Sequence, residues 1–276
     1  MLRAAKMTIG LALAMLLTQP ICAQPALPRP DHVVLVVMEN HGPSILGRNA
    51  SFITTLSSQG ALFSNSFAIT HPSEPNYFAL FAGSTEGVED NGKYNFDVPT
   101  LAGALATAGL SFVGYAERGS PRKHNPWVSF RDANSLGRDF ADFPSDYAKL
   151  PTVSFVVPNL DNDMHDGSVA DGDAWLKKNL ADYAAWAKSH NSLLIVTFDE
   201  DEGERHSDNR IPTVIYGDHI RPGIYDQKIS HYSILRTVLA FYGLPGLANA
   251  KNELPISAIW SAGGILGGAA APVGLR

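Results

Sequence analysis

Residues 31–40 read DHVVLVVMEN. Val33 to Met38 form an unbroken apolar run, rich in β-branched side chains, and the run gives way at once to Glu39 and Asn40. An apolar run of strand length with no polar alternation is what a strand buried on both faces looks like. The pattern recurs outward along the chain in LSFVGYAE (110–117), TVSFVVPNL (152–160), NSLLIVTFDEDEG (191–203) and IPTVIYG (211–217). Helical patterns lie between them. These are SFITTLSSQG (51–60), EPNYFALFAGS (74–84), VPTLAGALATAGL (98–110, stopped by Gly109) and HYSILRTVLAFYGL (231–244). The clearest is GDAWLKKNLADYAAWAKSH (172–190), with Trp175, Leu176, Leu180, Tyr183, Ala184 and Ala187 at helical spacing. ALFSNSFAIT (61–70) is mixed and reads as a short strand. Buried strands alternating with helices predict an α/β fold: a mostly parallel central sheet with helices on both faces.

Composition bounds the function. In 276 residues with 45% hydrophobic and 17% charged, the chain holds too much apolar surface for a disordered protein. A formal net charge of −6 argues against binding nucleic acid or an anionic membrane surface through bulk charge. The first residues read as a secretory signal peptide: Arg3 and Lys6, an apolar stretch from Met7 to Leu17, a break at Gln19-Pro20, and a short end at Cys22-Ala23. The apolar stretch falls short of the roughly 20 residues that span a bilayer. The expected division is therefore a signal peptide at 1–23, a leader at 24–30, one domain at 31–260 and a Gly/Ala-rich tail at 261–276. Irregular inserts are expected between Ser84 and Asn95 and between Glu117 and Pro151. The mature protein would be periplasmic or secreted, with no stable membrane insertion. It would be more acidic than the full chain and, since Cys22 is the single cysteine, free of disulfides.

In an open parallel sheet, functional groups gather at the carboxyl ends of the strands. Three strands here end in unusual chemistry: Glu39-Asn40-His41 after the first, Asp161-Asn162-Asp163-Met164-His165-Asp166 after another, and Asp199-Glu200-Asp201-Glu202 after a third. One such end is explained by hydration. Three carboxylate-bearing ends at one sheet edge repel one another unless a cation sits among them, which points to a hard divalent metal with oxygen and imidazole ligands. The segment HPSEPNY (71–77) adds a hydroxyl: Ser73 stands where a helix starts, with Pro75 in its first turn. It reads as an N-cap and, compatibly with that, as a nucleophile in the positive field of a helix N-terminus, activated by a metal.

MENH, HPSEPNYFALFAGS, RKHNPWVSF, DNDMHDG and TFDEDEG together resemble the phosphoesterase family of acid phosphatases and bacterial phospholipases C, within the alkaline phosphatase superfamily. The resemblance runs from about Asp31 to Leu244, and it is nearer the small acid phosphatases. It implies an alkaline-phosphatase-like core and a metal-dependent hydrolase of phosphate monoesters working through a phosphoserine. It implies Ser73 as the phosphate acceptor. It implies Glu39, Asn40, Ser73, Asp199 and Glu200 around the metal, with Asp161 as a ligand in the manner of two-metal relatives. Asn76, Lys123, His124 and His165 would face the phosphate or move its protons. Those relatives carry histidine where Glu200 stands, so one divalent metal is expected and a second stays open. The partner is a small phosphorylated substrate.

Other residues read more plainly. His41 and His206 suit exposed loops, His71 the support of the nucleophile turn, and His231 either a site contact or helix packing. Asp171 and Asp173 suit capping, and Asp201, Glu202 and Glu204 a solvated face. A phosphodiesterase or phospholipase C, marked by an apolar groove beside Ser73, is the main alternative. A non-catalytic phosphate-binding protein and a sulfatase follow, the latter disfavoured because HPSEPNY lacks the sulfatase nucleophile pattern.

Overall fold

A computed structural model of the chain describes residues 27–203 and 207–261. The expected signal peptide, Cys22, Glu204, His206 and all of the tail beyond Ser261 lie outside the described residues. The strands are β1 (His32–Met38), β2 (Ala61–Phe63), β3 (Ser66–Phe67), β4 (Phe112–Ala116), β5 (Gly137–Asp139), β6 (Val153–Val157), β7 (Ser192–Phe198), β8 (Thr213–Gly217), β9 (Gly223–Tyr225) and β10 (Ile229–Ser230). The helices are α1 (Ser51–Gln59), α2 (Ser73–Ala82), α3 (Leu101–Thr107), α4 (Val169–Ala187) and α5 (His231–Phe241).

Eight strands make one sheet in the order β5-β4-β6-β1-β7-β8-β2-β9. From β5 to β7 every neighbouring pair is parallel. β8 runs against both β7 and β2. The described residues between β7 and β8 hold no helix, and without a crossover a strand returns antiparallel. The mostly parallel sheet expected from the apolar runs is thus present, with one reversed strand. The segment 61–70 divides into β2 and β3, and the 117–151 insert supplies the edge strand β5.

β1 shows why both faces are covered. Val33, Leu35 and Val37 enter one core with Phe78, Leu101 and Leu235. Val34, Val36 and Met38 enter the other with Ile53, Leu176 and Leu180. Alternate side chains of one strand thus meet α2, α3 and α5 on one side and α1 and α4 on the other. α2 is buried at every residue from Ser73 to Ala82, which fits a helix apolar nearly all round. Gly83, at φ 79°, ends it; a β-carbon there would lie 2.5 Å from the Leu247 carbonyl oxygen.

Capping follows the sequence only in part. Ser168 and Asp171 close a capping box on α4. Asp173 caps a different helix: its carboxylate accepts from Phe52 N at 2.8 Å and Ile53 N at 2.9 Å, at the start of α1.

The topology decides where the chemistry sits. β6, β1 and β7 are neighbours, so the residues that follow them meet at one edge. Met38 lies opposite Phe198, which sets Glu39 beside Asp199. Glu39 N donates to Asp163 O at 2.8 Å, and Asp199 N to Met38 O at 2.9 Å.

Candidate active site

Glu39, Asp163, Asp199 and Glu200 converge at this edge, and all four are buried. Glu39 Oε1 accepts from the Tyr77 hydroxyl at 2.5 Å and lies 3.0 Å from His124 Nε2. His124 Nδ1 lies 3.4 Å from Asp163 Oδ2. Asp199 Oδ1 accepts from Asn40 N at 3.0 Å. Asn40 holds a left-handed φ of 52°, a conformation non-glycine residues seldom adopt and one that clusters at functional sites. Ser73 Oγ lies 3.0 Å from Glu200 Oε1 and 3.3 Å from Glu39 Oε2. With one proton to give, it donates to the nearer, Glu200.

Ser73 is the first residue of α2, not its cap: Pro72 holds that position and no side chain caps the helix. The capping role is therefore absent, and the hydroxyl points instead into the carboxylates.

Burial pushes every one of these acids up, and for Glu39, Asp163 and Glu200 the neighbouring carboxylates add to it. Glu39 stands well above the usual carboxylate range, through burial and then the charges of Asp199 and Asp163. Asp163 rises to about 8, Asp199 to about 6 and Glu200 to about 8, burial being the largest cause each time. The Lys123 charge pulls Glu39, Asp163 and Glu200 back down. His124, buried and near Lys123 and His165, is pushed down to about 2. Its two nitrogens lie near carboxylate oxygens without an aligned hydrogen bond. A neutral imidazole among carboxylates is what a cation site requires of its donors.

Glu39, His124 and Asp163 each offer one ligand atom, and the three atoms lie within 4.8 Å of one another. Asp163 Oδ2 and Asp199 Oδ2 are buried with no hydrogen-bond partner among the described residues. Buried oxygens left without partners are costly in a native fold, and hard oxygen donors with one imidazole suit a divalent cation. The group can hold a metal ion.

The predicted residues divide. Glu39, Ser73, His124, Asp199 and Glu200 come together. Asn40 joins through its backbone, and Lys123 acts through its charge. His165 stands at the exposed rim, its ring 6.0 Å from that of His124 and its Nδ1 2.6 Å from Asp166 Oδ1. Asp161 is exposed and outside the cluster; the inward carboxylate of that loop is Asp163. Asn76 does not face a substrate. Its Oδ1 accepts from Ile69 N and Thr70 N, and its Nδ2 donates to Thr70 O and Pro72 O, so its amide is spent on bracing the turn before Ser73.

Sequence reasoning missed Tyr77 and Asp163. Tyr77 lies four residues after Ser73, on the same face of α2, and this spacing was a usable signal. Among the side candidates, His71 Nδ1 lies 2.7 Å from Glu200 Oε2. Buried His231 bonds Asp199 O through Nε2 at 2.7 Å, and burial pushes it down to about 4. His41 Nδ1 lies 2.9 Å from Glu39 O. Asp201 and Glu202 tie loops by accepting from Gly203 N and Gly42 N.

Residues 47–245 match the model of the Phosphoesterase family. The chain is 48% identical over 278 residues to a phosphatidylinositol-3-phosphatase of Mycobacterium tuberculosis, covering 91% of this chain and 92% of the relative. It is 33% identical over 227 residues to an acid phosphatase of Aspergillus fumigatus, covering 70% of this chain and 50% of that longer relative. In fold it is similar to a solved protein of the alkaline phosphatase superfamily from Vibrio parahaemolyticus. There the TM-score is 0.60 at 14% identity, over 80% of this chain and 69% of that one.

Proposed function

The chain belongs to the phosphoesterase family and is a hydrolase of phosphoric ester bonds, and from that premise we propose that it is a secreted, metal-dependent phosphomonoesterase working through a phosphoserine on Ser73. The observation that carries this reading is the Ser73 hydroxyl, buried at the start of α2 and 3.0 Å from Glu200. Ser73 Oγ attacks phosphorus and its proton passes to the adjacent carboxylate. The phosphorus–oxygen ester bond breaks, and the departing alkoxide takes a proton from His165 at the rim. Water then hydrolyses the phosphoserine, giving a proton to His165 while Ser73 Oγ takes back the proton held by the carboxylate, which releases phosphate and restores the site. Glu39, His124 and Asp163 would hold a divalent cation, with Asp199 and Glu200 beside it. Such a cation would offset part of the carboxylate charge and the negative charge growing on the phosphoryl oxygens.

The space beside the nucleophile turn favours a polar leaving group. A cleft of about 450 Å³ is lined by Thr70, His71, Glu89, Ser207, Asp208 and Asn209, with little apolar wall beyond Ala68 and Ile69. A phosphorylated polyol suits its polar lining, and the Mycobacterium tuberculosis relative is named for a phosphomonoester on the inositol headgroup of a lipid. Export through residues 1–23 and a single catalytic domain at 31–260 belong to the same reading.

The test is a panel of phosphomonoesters, including phosphorylated polyols, against phosphodiesters and phosphatidylcholine, each with chelator and with metal added back. Monoester turnover that stops with chelator and returns with metal is expected. Faster turnover of diesters, or full activity in demonstrably metal-free protein, overturns the proposal.

A further inference from the structure

We propose that Glu117, a residue outside the cluster, is a positioning residue for the loop that carries Asp163 and His165. The proposal rests on the phosphoesterase reading of that loop. Glu117 directly follows β4, and its backbone N–H donates to Val157 O at 2.9 Å, which fixes it beside the end of β6. Its carboxylate gathers the start of the loop. Oε2 accepts from Asn159 N at 2.9 Å, and both oxygens accept from Asn162 Nδ2, at 2.9 and 3.0 Å. Oε1 also accepts from Trp175 Nε1 of α4 at 2.9 Å. One side chain thus ties β4, the loop and α4 together.

The bonds continue inward from there. Asn159 O accepts from Asp163 N at 2.8 Å, and Asn159 Oδ1 accepts from Asp161 N and Asn162 N at 3.1 Å. Asp163 Oδ1 accepts from His165 N at 2.8 Å. The backbone of Asp163 is therefore held two steps from the Glu117 carboxylate, and that of His165 three. Every group that Glu117 contacts is an N–H donor. Only a group that accepts at both oxygens satisfies all of them. Glutamine places a donor where a donor already stands, so even this near-isosteric change loosens the loop. Partners that orient a metal-facing carboxylate are worth about 10–100-fold in affinity or activity.

The experiment compares wild type, Glu117→Gln, Asn162→Ala and the double variant. It measures kcat and KM with p-nitrophenyl phosphate, Mn2+ affinity of the substrate-free protein by titration calorimetry, and the melting temperature. Each single variant should lower kcat and weaken Mn2+ binding by about 10–100-fold with KM changed by no more than about threefold. The double variant should lose less than the product of the two single losses, because the Glu117–Asn162 contact is common to both. Wild-type kcat and Mn2+ affinity in Glu117→Gln, with only a lower melting temperature, would make Glu117 a structural brace and overturn the proposal. Multiplying losses in the double variant would overturn it as well. Should Glu117→Gln fail to fold, Asn162→Ala alone carries the same expectation. Should wild type not hydrolyse phosphomonoesters, the functional reading fails by itself, and the Mn2+ arm still decides the role of Glu117.

Discussion

Replacing Tyr77 by phenylalanine isolates one atom of the site. Tyr77 is fully buried, and its ring stacks on His124 at 5.1 Å and 12°. Phenylalanine keeps that stack and the volume, and removes only the hydroxyl that donates to Glu39 Oε1 at 2.5 Å. Burial and Glu39 hold the tyrosine well above its usual range, so it is a neutral donor throughout the working pH. A hydrogen bond to a charged group contributes about 1.5–3 kcal/mol. At about 1.36 kcal/mol per unit, losing it raises the Glu39 pKa further by about one to two units. Glu39 is then protonated to a higher pH, and the proton competes with the cation over a wider range. The acid limb of kcat/KM against pH should move up by about one to two units at limiting metal. It should move back as metal is added, while the plateau at higher pH changes little. The substrate's own ionisation is the same for both proteins and cancels. An acid limb that stays in place while the plateau falls at every pH would show that the hydroxyl acts on something other than Glu39 ionisation, and the electrostatic account of the cluster would be wrong.

Ser73→Ala should abolish phosphomonoester turnover and leave the circular dichroism spectrum unchanged; comparable turnover in a folded variant removes the phosphoserine. Asn76→Ala should lower the denaturation midpoint by an amount equivalent to about 2–6 kcal/mol, since it strands at least two part-buried polar groups worth about 1–3 kcal/mol each; a normal midpoint with a raised KM would return Asn76 to the substrate. Metal-free protein should lose stability as pH rises. Asp163 and Glu200 bind protons in the fold up to about 8, against ordinary values of 3.8 and 4.5 unfolded. Between those limits the native state holds more protons than the unfolded chain, so the stabilisation present at low pH fades as pH climbs through the folded values. Melting curves from pH 4.5 to 8.5 with chelator test this, and added divalent metal should flatten the slope.

The buried strands were legible because covering a parallel sheet on both faces leaves no room for polar alternation. β1, β6 and β7 are plain in VVLVVM, VSFVV and SLLIVTF. Glu39, Asp199 and Glu200 followed, since strand ends announce themselves. What lay within loops did not. Asp161 and Asp163 sit two residues apart in one acidic run, and sequence alone does not say which turns inward. That choice is made by the Asn159 turn and by the bond between Glu39 N and Asp163 O. Asn76 misled for a related reason. An asparagine at a helix start serves a phosphate or a backbone turn equally well, and the segment from Ile69 to Pro72 claims all its bonding capacity. The brief edge strand β5 carried no apolar run, since only its pairing with β4 defines it.

The net charge of −6 acquires a different meaning from this geometry. Long-range attraction of an anionic ester to an acidic protein is unfavourable, so the positive potential must be local and short-ranged. Four carboxylates buried at one sheet edge supply the means, though each alone has the wrong sign. Desolvation makes their shared negative charge expensive in the fold, and the expense is relieved by proton or cation. With protons the site is neutral and Ser73 has no activating charge nearby. A divalent cation would hold the same carboxylates ionised and cancel two of their four charges, so the attraction for an anionic ester would be confined to the immediate surroundings of the cation. Binding of an anion and stability at neutral pH therefore draw on the same occupant. A substitution that relaxes the carboxylate crowding, such as Asp163→Asn, should raise the stability of the metal-free protein at pH 8 and weaken its hold on metal at once. If that variant lost stability at pH 8 and kept its metal affinity, the crowding would be incidental to the site.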